Sequence, residues 1–240
     1  MSLDDGLQRV LVVTAHPDDV DFGSGGTVAT WTDAGVDVSY CVVTDGDSGG
    51  FDRTVPRSEI AGIRQDEQRK AAAVLGVTDV EFLGYQDGSL AVSYELRRDI
   101  ARAIRRVRPD LLVVHSPQRD LRSLAGSHPD HLAAGEAAMC AVYPDARNPF
   151  AHPELLADEG LDAHTVSQVW VMSPNDRADH YVDVTHSFGR KLAALREHTS
   201  QTAHLTDLED HLRGWLGTQA AAAGLPEGRL AEGFLVLDTR

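Results

Sequence analysis

A histidine, a proline and two adjacent aspartates interrupt an apolar run in VVTAHPDDVDFGSGGT, residues 12–27. Two carboxylates and an imidazole at one strand end lose hydration and repel each other unless a cation sits among them. His16, Asp18 and Asp19 are therefore candidate metal-site residues. Helix-capping aspartates beside a loop histidine remain the other reading of the same stretch. A second stretch, GSHPDH at 126–131, sets two histidines three residues apart around Pro-Asp. It follows the apolar run LLVVH and precedes an apolar helix, so His128 and His131 reach the same edge as His16. Imidazole with carboxylate suits Zn2+, and three protein ligands with an open position mark a catalytic rather than a structural site. The only two cysteines, Cys41 and Cys140, exclude a structural zinc made of cysteines.

The elements that must position these residues follow from the hydrophobic pattern. Val10–Thr14, Val38–Thr44, Val80–Leu83 and Leu111–His115 read as short strands, the first a continuous β-branched run of the kind buried on both faces of a parallel sheet. Helices are expected over Gly25–Ala34, Ser58–Leu75 (ending at Gly76), Tyr94–Val107 (stopped by Pro109) and His131–Val142. Strands Gln168–Met172 and Tyr181–Val184, helices Ser187–His198 and Leu205–Ala223, and a closing strand Phe234–Leu237 complete the chain. Strand–helix alternation at this spacing predicts an α/β, Rossmann-like fold: a mostly parallel sheet with helices on both faces. Ligands of such sheets bind at the carboxyl ends of the strands. HPDD, the DGDSGG loop that opens the long segment 45–57, and the loop 116–127 all fall on that edge.

The 240 residues suit one domain, 1–240, with no repeat and no low-complexity linker. A net charge of −15 repels phosphate backbones and anionic bilayers, which argues against nucleic-acid and membrane partners. Both cysteines sit in apolar contexts and read as buried small hydrophobes rather than a disulfide framework. No membrane-length apolar run and no signal pattern occur, so a cytoplasmic location is expected. A dinucleotide-binding reading fails, because Gly23, Gly25 and Gly26 miss the required spacing and HPDD occupies the turn where a pyrophosphate would sit.

The chain resembles the PIG-L/LmbE-like family of zinc-dependent N-acetylglucosaminyl deacetylases and related amidases. The matching stretches are AHPDDVDFGSGGT (15–27), TDGDSGG (44–50), IRQDEQRKAAAVLGV (63–77), FLGYQDG (82–88), GSHPDHLAAGEA (126–137) and LAALREHTSQ (192–201), in the family's order. The resemblance implies hydrolysis of an N-acyl bond, most simply an N-acetyl group on an amino sugar or glycoside, releasing acetate and a free amine. An amidase acting on a thiol conjugate or another non-sugar amide is the alternative on the same site. It implies one zinc per chain, or another divalent metal, held by His16, Asp19 and His131. Asp18 would be the general base. His128 would stabilise the tetrahedral oxyanion or protonate the leaving amine, and Asp130 would orient His128.

Arg64 matches an arginine that helps hold the sugar in relatives, with a solvated helix arginine as the alternative. Asp47 and Asp87 lie on expected rim loops and could bind substrate hydroxyls or simply shape turns. His198 reads as a helix-terminal residue, and His115 as close to the edge. Two departures stand out: Val20 replaces the glutamate that usually follows HPDD, and Gly126 replaces a tyrosine of the mycothiol-pathway relatives. The expected partner is a small N-acetylated molecule. Relatives form several assemblies, so a homo-oligomer stays open, and this chain carries no assembly signal of its own.

Overall fold

The computed structural model describes residues 6–121, 124, 127–172 and 177–239. Seven strands form one sheet: β1 (Arg9–Thr14), β2 (Asp37–Thr44), β3 (Asp79–Tyr85), β4 (Leu111–Val114), β5 (Gln168–Met172), β6 (His180–Asp183) and β7 (Ala231–Asp238). Their order is β3-β2-β1-β4-β5-β7-β6. The pairings from β3 across to β5 are parallel, and β7 runs antiparallel to both β5 and β6. The nine α-helices among the described residues are α1 (Asp19–Gly23), α2 (Gly25–Asp33), α3 (Arg57–Val74), α4 (Tyr94–Val107), α5 (Pro129–Cys140), α6 (Pro153–Ala157), α7 (Phe188–Glu197), α8 (Thr199–Thr202) and α9 (Leu208–Ala222).

The continuous apolar strands are buried on both faces, as their sequences require. In β1, Val10 and Val12 face one core with Trp31, Leu75, Leu192 and Leu216, from α2, the end of α3, α7 and α9. Leu11 and Val13 face the other with Leu96, Ile100, Ala134 and Ala138, from α4 and α5. The α4 boundaries follow local chemistry. Ser93 Oγ accepts from the Leu96 N–H at 3.1 Å, and the helix stops at Arg108, ahead of Pro109.

The strand order reverses between β1 and β4, which are adjacent. The connections leaving their carboxyl ends diverge to opposite sides, and this opens the crevice in which ligands of doubly wound sheets bind. HPDD leaves β1 at that point and His115 leaves β4.

Several expectations shift. A five-residue helix, α1, begins at the second aspartate of HPDD and precedes α2, where the glycine-rich stretch reads as a direct lead into one helix. The helix expected over His131–Val142 starts earlier, at Pro129, and ends at Cys140, and the chain then kinks at Tyr143, whose backbone is extended, ahead of Pro144. The long helical stretch from Leu205 begins only at Leu208. Cys41 is buried but Cys140 is only partly so, and both are free thiols. Among the described residues no helix is long and apolar enough to cross a membrane. The position of Gly126, and part of the loop 116–127, lie outside the described residues.

Candidate metal centre and active site

β1 ends at Thr14, and the chain turns sharply through His16, Pro17 and Asp18 before α1 begins at Asp19. The turn is closed by the His16 N–H, which donates to Asp19 Oδ2 at 2.7 Å. Asp18 sits at φ +93°, left-handed backbone that a non-glycine residue adopts at a cost of about 1–3 kcal/mol. Such strain persists only where the surroundings hold it. Here Gln68 of α3 accepts the Asp18 N–H at 2.7 Å. Arg64, one helical turn earlier and 4% exposed, donates to the Pro17 carbonyl at 2.6 Å and to Asp18 Oδ2 at 3.2 Å.

α5 brings the second motif. Its glycine at 135 is required by packing: a Cβ there would lie 2.5 Å from the His115 carbonyl oxygen at the end of β4. That close approach carries the first turn of α5 over the strand ends. His131 Nε2 then stands 3.0 Å from Asp19 Oδ1 and 3.2 Å from His16 Nδ1, and His16 Nδ1 stands 3.5 Å from Asp19 Oδ2.

This triangle fits a divalent ion. Tetrahedral nitrogen and oxygen ligands at zinc distances of 2.0–2.1 Å stand about 3.3–3.4 Å from one another. His16, Asp19 and His131 together form a His/Asp/His group that could hold a metal. The tautomer of His16 agrees. Its Nε2 lies 3.2 Å from Asp130 Oδ2 and 3.2 Å from Asp87 Oδ1, so the proton belongs there and the Nδ1 lone pair faces Asp19 and His131. A carboxylate behind a ligating histidine is the usual support for one. Burial works against charging His16, but Asp19 and Asp87 outweigh it and push its pKa up to about 11. A field that negative is one that a bound cation would satisfy.

The neighbouring groups are set apart by their environments. Burial raises the pKa of Asp18 to about 6 against the opposing charge of Arg64, with Asp19 adding to the rise. Asp19 goes the other way: despite burial, His131 and His115 hold it well below the usual carboxylate range. Burial, with the charge of His16, lowers His128. His131 is raised because Asp19 outweighs its burial.

The sequence brought most of these residues to one edge, but three contacts differ from expectation. The carboxylate of Asp130 does not touch His128. It accepts from the Gly88 and Leu90 N–H groups at 2.7 and 3.2 Å and faces His16, while His128 Nδ1 accepts the Asp130 backbone N–H at 3.2 Å. Arg64 is not a solvated helix arginine: its NH1 and NH2 groups donate to the Gly46 and Pro17 carbonyls and to Asp18, and its Nε is buried without a partner among the described residues. Asp87 is not on an open rim. It is buried, one oxygen on His16 and the other accepting the Ser48 N–H at 3.2 Å. Asp47 does stand at a rim, paired with Arg57 at 3.0 Å and lining a cavity of about 370 Å³ with Phe51, Ile60 and Ile63.

Two histidines named in the sequence make contacts it did not give. His115 Nε2 donates to Asp19 Oδ2 at 3.0 Å, and its ring stacks on that of His131 with centroids 4.0 Å apart. His198 does stand at a helix end, between α7 and α8, but it is fully buried there, 2.8 Å from Asp21. Val20 is buried in the hydrophobic core, whereas the next residue, Asp21, accepts from Gln68. The spacing signal available for His198 was only its place in REHTSQ, with nothing to name Asp21 as its partner.

Fold and site together define an open α/β protein with a His/Asp/His group that could hold a metal at the sheet's switch point. The chain belongs to the PIG-L family: residues 11–142 match the model described as GlcNAc-PI de-N-acetylase. It is 34% identical over 232 residues to a diacetylchitobiose deacetylase of Thermococcus kodakarensis, covering 95% of this chain and 82% of that one. It is 32% identical to a probable N-acetyl-alpha-D-glucosaminyl L-malate deacetylase 2 of Bacillus cereus, covering 85% and 87%. The solved N,N'-diacetylchitobiose deacetylase of Pyrococcus horikoshii superposes with a TM-score of 0.88 at 31% identity, covering 98% and 85%.

Proposed function

We propose that the chain, acting as one catalytic domain, is a zinc-dependent N-deacetylase of N-acetylated amino sugars or glycosides. The observation that carries this is the His16–Asp19–His131 group, in which His16 Nδ1 and His131 Nε2 stand 3.2 Å apart and 3.5 and 3.0 Å from the Oδ2 and Oδ1 of Asp19, with the carboxyl of Asp18 and the ring of His128 beside it. The names of the relatives, all deacetylases of N-acetylglucosamine-containing molecules, support the same chemistry.

When bound, zinc would supply Lewis acidity toward the acyl oxygen and a water that loses its proton near neutral pH. The chain's residues do the rest. Asp18, fixed by Arg64 and Gln68, accepts the proton of the attacking water. With its pKa near 6 it can return that proton to the amine as the C–N bond breaks. His128 is the oxyanion donor: its Nδ1 is occupied as an acceptor, so its proton sits on Nε2. Asp130 and Asp87 hold His16 from behind. The strongly acidic surface, at −15, fits a small-molecule substrate in the cytoplasm rather than nucleic acid or anionic lipid.

The test is amine release from N-acetylglucosamine, diacetylchitobiose and N-acetylglucosaminyl glycosides bearing malate or inositol. Release from at least one of them, lost in Asp18→Ala with metal content unchanged, is expected. Release only from non-sugar amides would move the enzyme to the amidases. Wild-type turnover by Asp18→Ala would remove the assigned base.

A further inference from the structure

Behind the metal centre lies a chain of buried polar side chains that the hydrolytic reading leaves unused. Gln68 Oε1 accepts the Asp18 N–H at 2.7 Å, and Gln68 Nε2 donates to Asp21 Oδ2 at 2.9 Å. The same oxygen of Asp21 meets His198 Nε2 at 2.8 Å. Asp21, Gln68 and His198 are all fully buried. These are the only side-chain hydrogen bonds the three make among the described residues, and Asp21 Oδ1 and His198 Nδ1 have no partner there. The elements are far apart in sequence, 177 residues separating Asp21 from His198 and 47 separating it from Gln68.

The chemistry allows one arrangement. A flipped Gln68 amide would aim its NH2 at the Asp18 N–H and its oxygen at the Asp21 carboxylate, two repulsive contacts. The Asp21 carboxylate therefore fixes the amide, and a donor on His198 Nε2 fixes the carboxylate. Lys191, also buried, pins the backbone of the same helix by donating to the Asp21 and Phe22 carbonyls at 2.9 and 2.6 Å. Asp18, at φ +93°, is the residue on which the chain ends.

We propose that His198, Asp21 and Gln68 form a positioning relay that holds Asp18 in its left-handed backbone and so aims its carboxyl at the reacting water. The inference rests on the role assigned to Asp18 above. His198 is a positioning residue, since it touches neither the metal triangle nor the substrate.

The test compares His198→Leu with His198→Gln, whose Nε2 can still donate to Asp21. Turnover, zinc content and hydrogen exchange of the Asp18 amide by NMR are measured in each. His198→Leu should lose roughly 10- to 100-fold in kcat with KM and zinc content kept, the usual range for supporting residues of a metal site. Its Asp18 amide should exchange roughly tenfold faster, the worth of one buried hydrogen bond. His198→Gln should return both to within a few-fold of wild type. Unchanged kcat and exchange in His198→Leu would overturn the relay. So would equal losses in both variants accompanied by lost zinc, the mark of a merely structural residue. If His198→Leu does not fold, Gln68→Met cuts the relay at its centre with little change in volume and is read the same way. If the wild-type protein releases no amine at all, the deacetylase reading fails, while exchange at Asp18 still decides the relay.

Discussion

Gly135→Ala probes the clamp that brings the two His-Pro-Asp motifs together. The added Cβ would stand 2.5 Å from the His115 carbonyl oxygen, and ordinary contact begins at 3.4 Å. Helix α5 must therefore retreat by about 0.9 Å, since backbone on both sides leaves no flexible side chain to yield. His131 lies one turn earlier on that helix, and its Nε2 is 3.0 Å from Asp19 Oδ1. A retreat of that size opens the donor triangle and also draws Asp130 from His16. Misplacement by about 1 Å costs on the order of 100-fold in rate. Overpacking costs about 1–3 kcal/mol, against a helix-propensity gain of roughly 0.5–1 kcal/mol for replacing glycine. The expected variant is modestly destabilised, binds zinc more weakly and turns over on the order of 100-fold more slowly. Urea unfolding, zinc competition against a chromogenic chelator and amine release measure the three. Gly214→Ala on α9, with no atom within 4 Å of the new Cβ, is the control and should be neutral or stabilised. Wild-type zinc affinity and kcat in Gly135→Ala would show that the strand-end contact does not set the geometry.

Asp130→Asn keeps the shape but weakens the hold on His16 Nε2, so zinc affinity or activity should fall roughly 10- to 100-fold in a chelator titration. Lys191→Met leaves Glu232 buried without the ammonium 2.6 Å away, although the Gly26 and Thr27 N–H groups still donate to it. Breaking a buried pair in this way should cost about 3–5 kcal/mol in urea unfolding. Burial alone would depress the pKa of His198, but the hydrogen bond and charge of Asp21 outweigh it and hold it above its ordinary value. Because the folded value is the higher one, this pair stabilises fully below about pH 6.5 and less as pH rises through the folded pKa. Melting temperatures between pH 6 and 9 should therefore slope downward more steeply in wild type than in His198→Gln.

The edge that gathers His16, Asp18, Asp19, His128 and His131 was legible because these residues sit next to strand ends that the apolar pattern marks, while the choice of three among them as ligands came from the family resemblance. VLVVT and LLVVH announce β1 and β4, and HPDD and HPDH stand beside them. The supports were not legible, because they are tertiary pairings that no local pattern encodes. Arg64 looks like any helix arginine until α3 lays it against Pro17 and Asp18, 46 residues from the latter. Asp130 has the spacing of a partner for His128, yet the loop carrying Gly88 and Leu90 turns its carboxylate to His16, 114 residues away. The antiparallel β7 could not be told from a parallel strand, since FLVL reads the same in either direction. Val20 shows the reverse case. A departure that looked like a change at the site fills the core, and Asp21 takes the polar contacts.

The central claim is that His16, Asp19 and His131 hold a metal that the reaction requires. Elemental analysis of the purified protein, paired with amine release before chelation, after chelation and after zinc is returned, tests it most directly. The account expects about one zinc per chain, consistent with a three-ligand catalytic site. It also expects activity that disappears on chelation and returns with zinc, and loss of both metal and turnover in His131→Ala. A protein that takes up no divalent metal even on reconstitution, or that releases amine equally well without it, would contradict the account and leave HPDD as a capped turn.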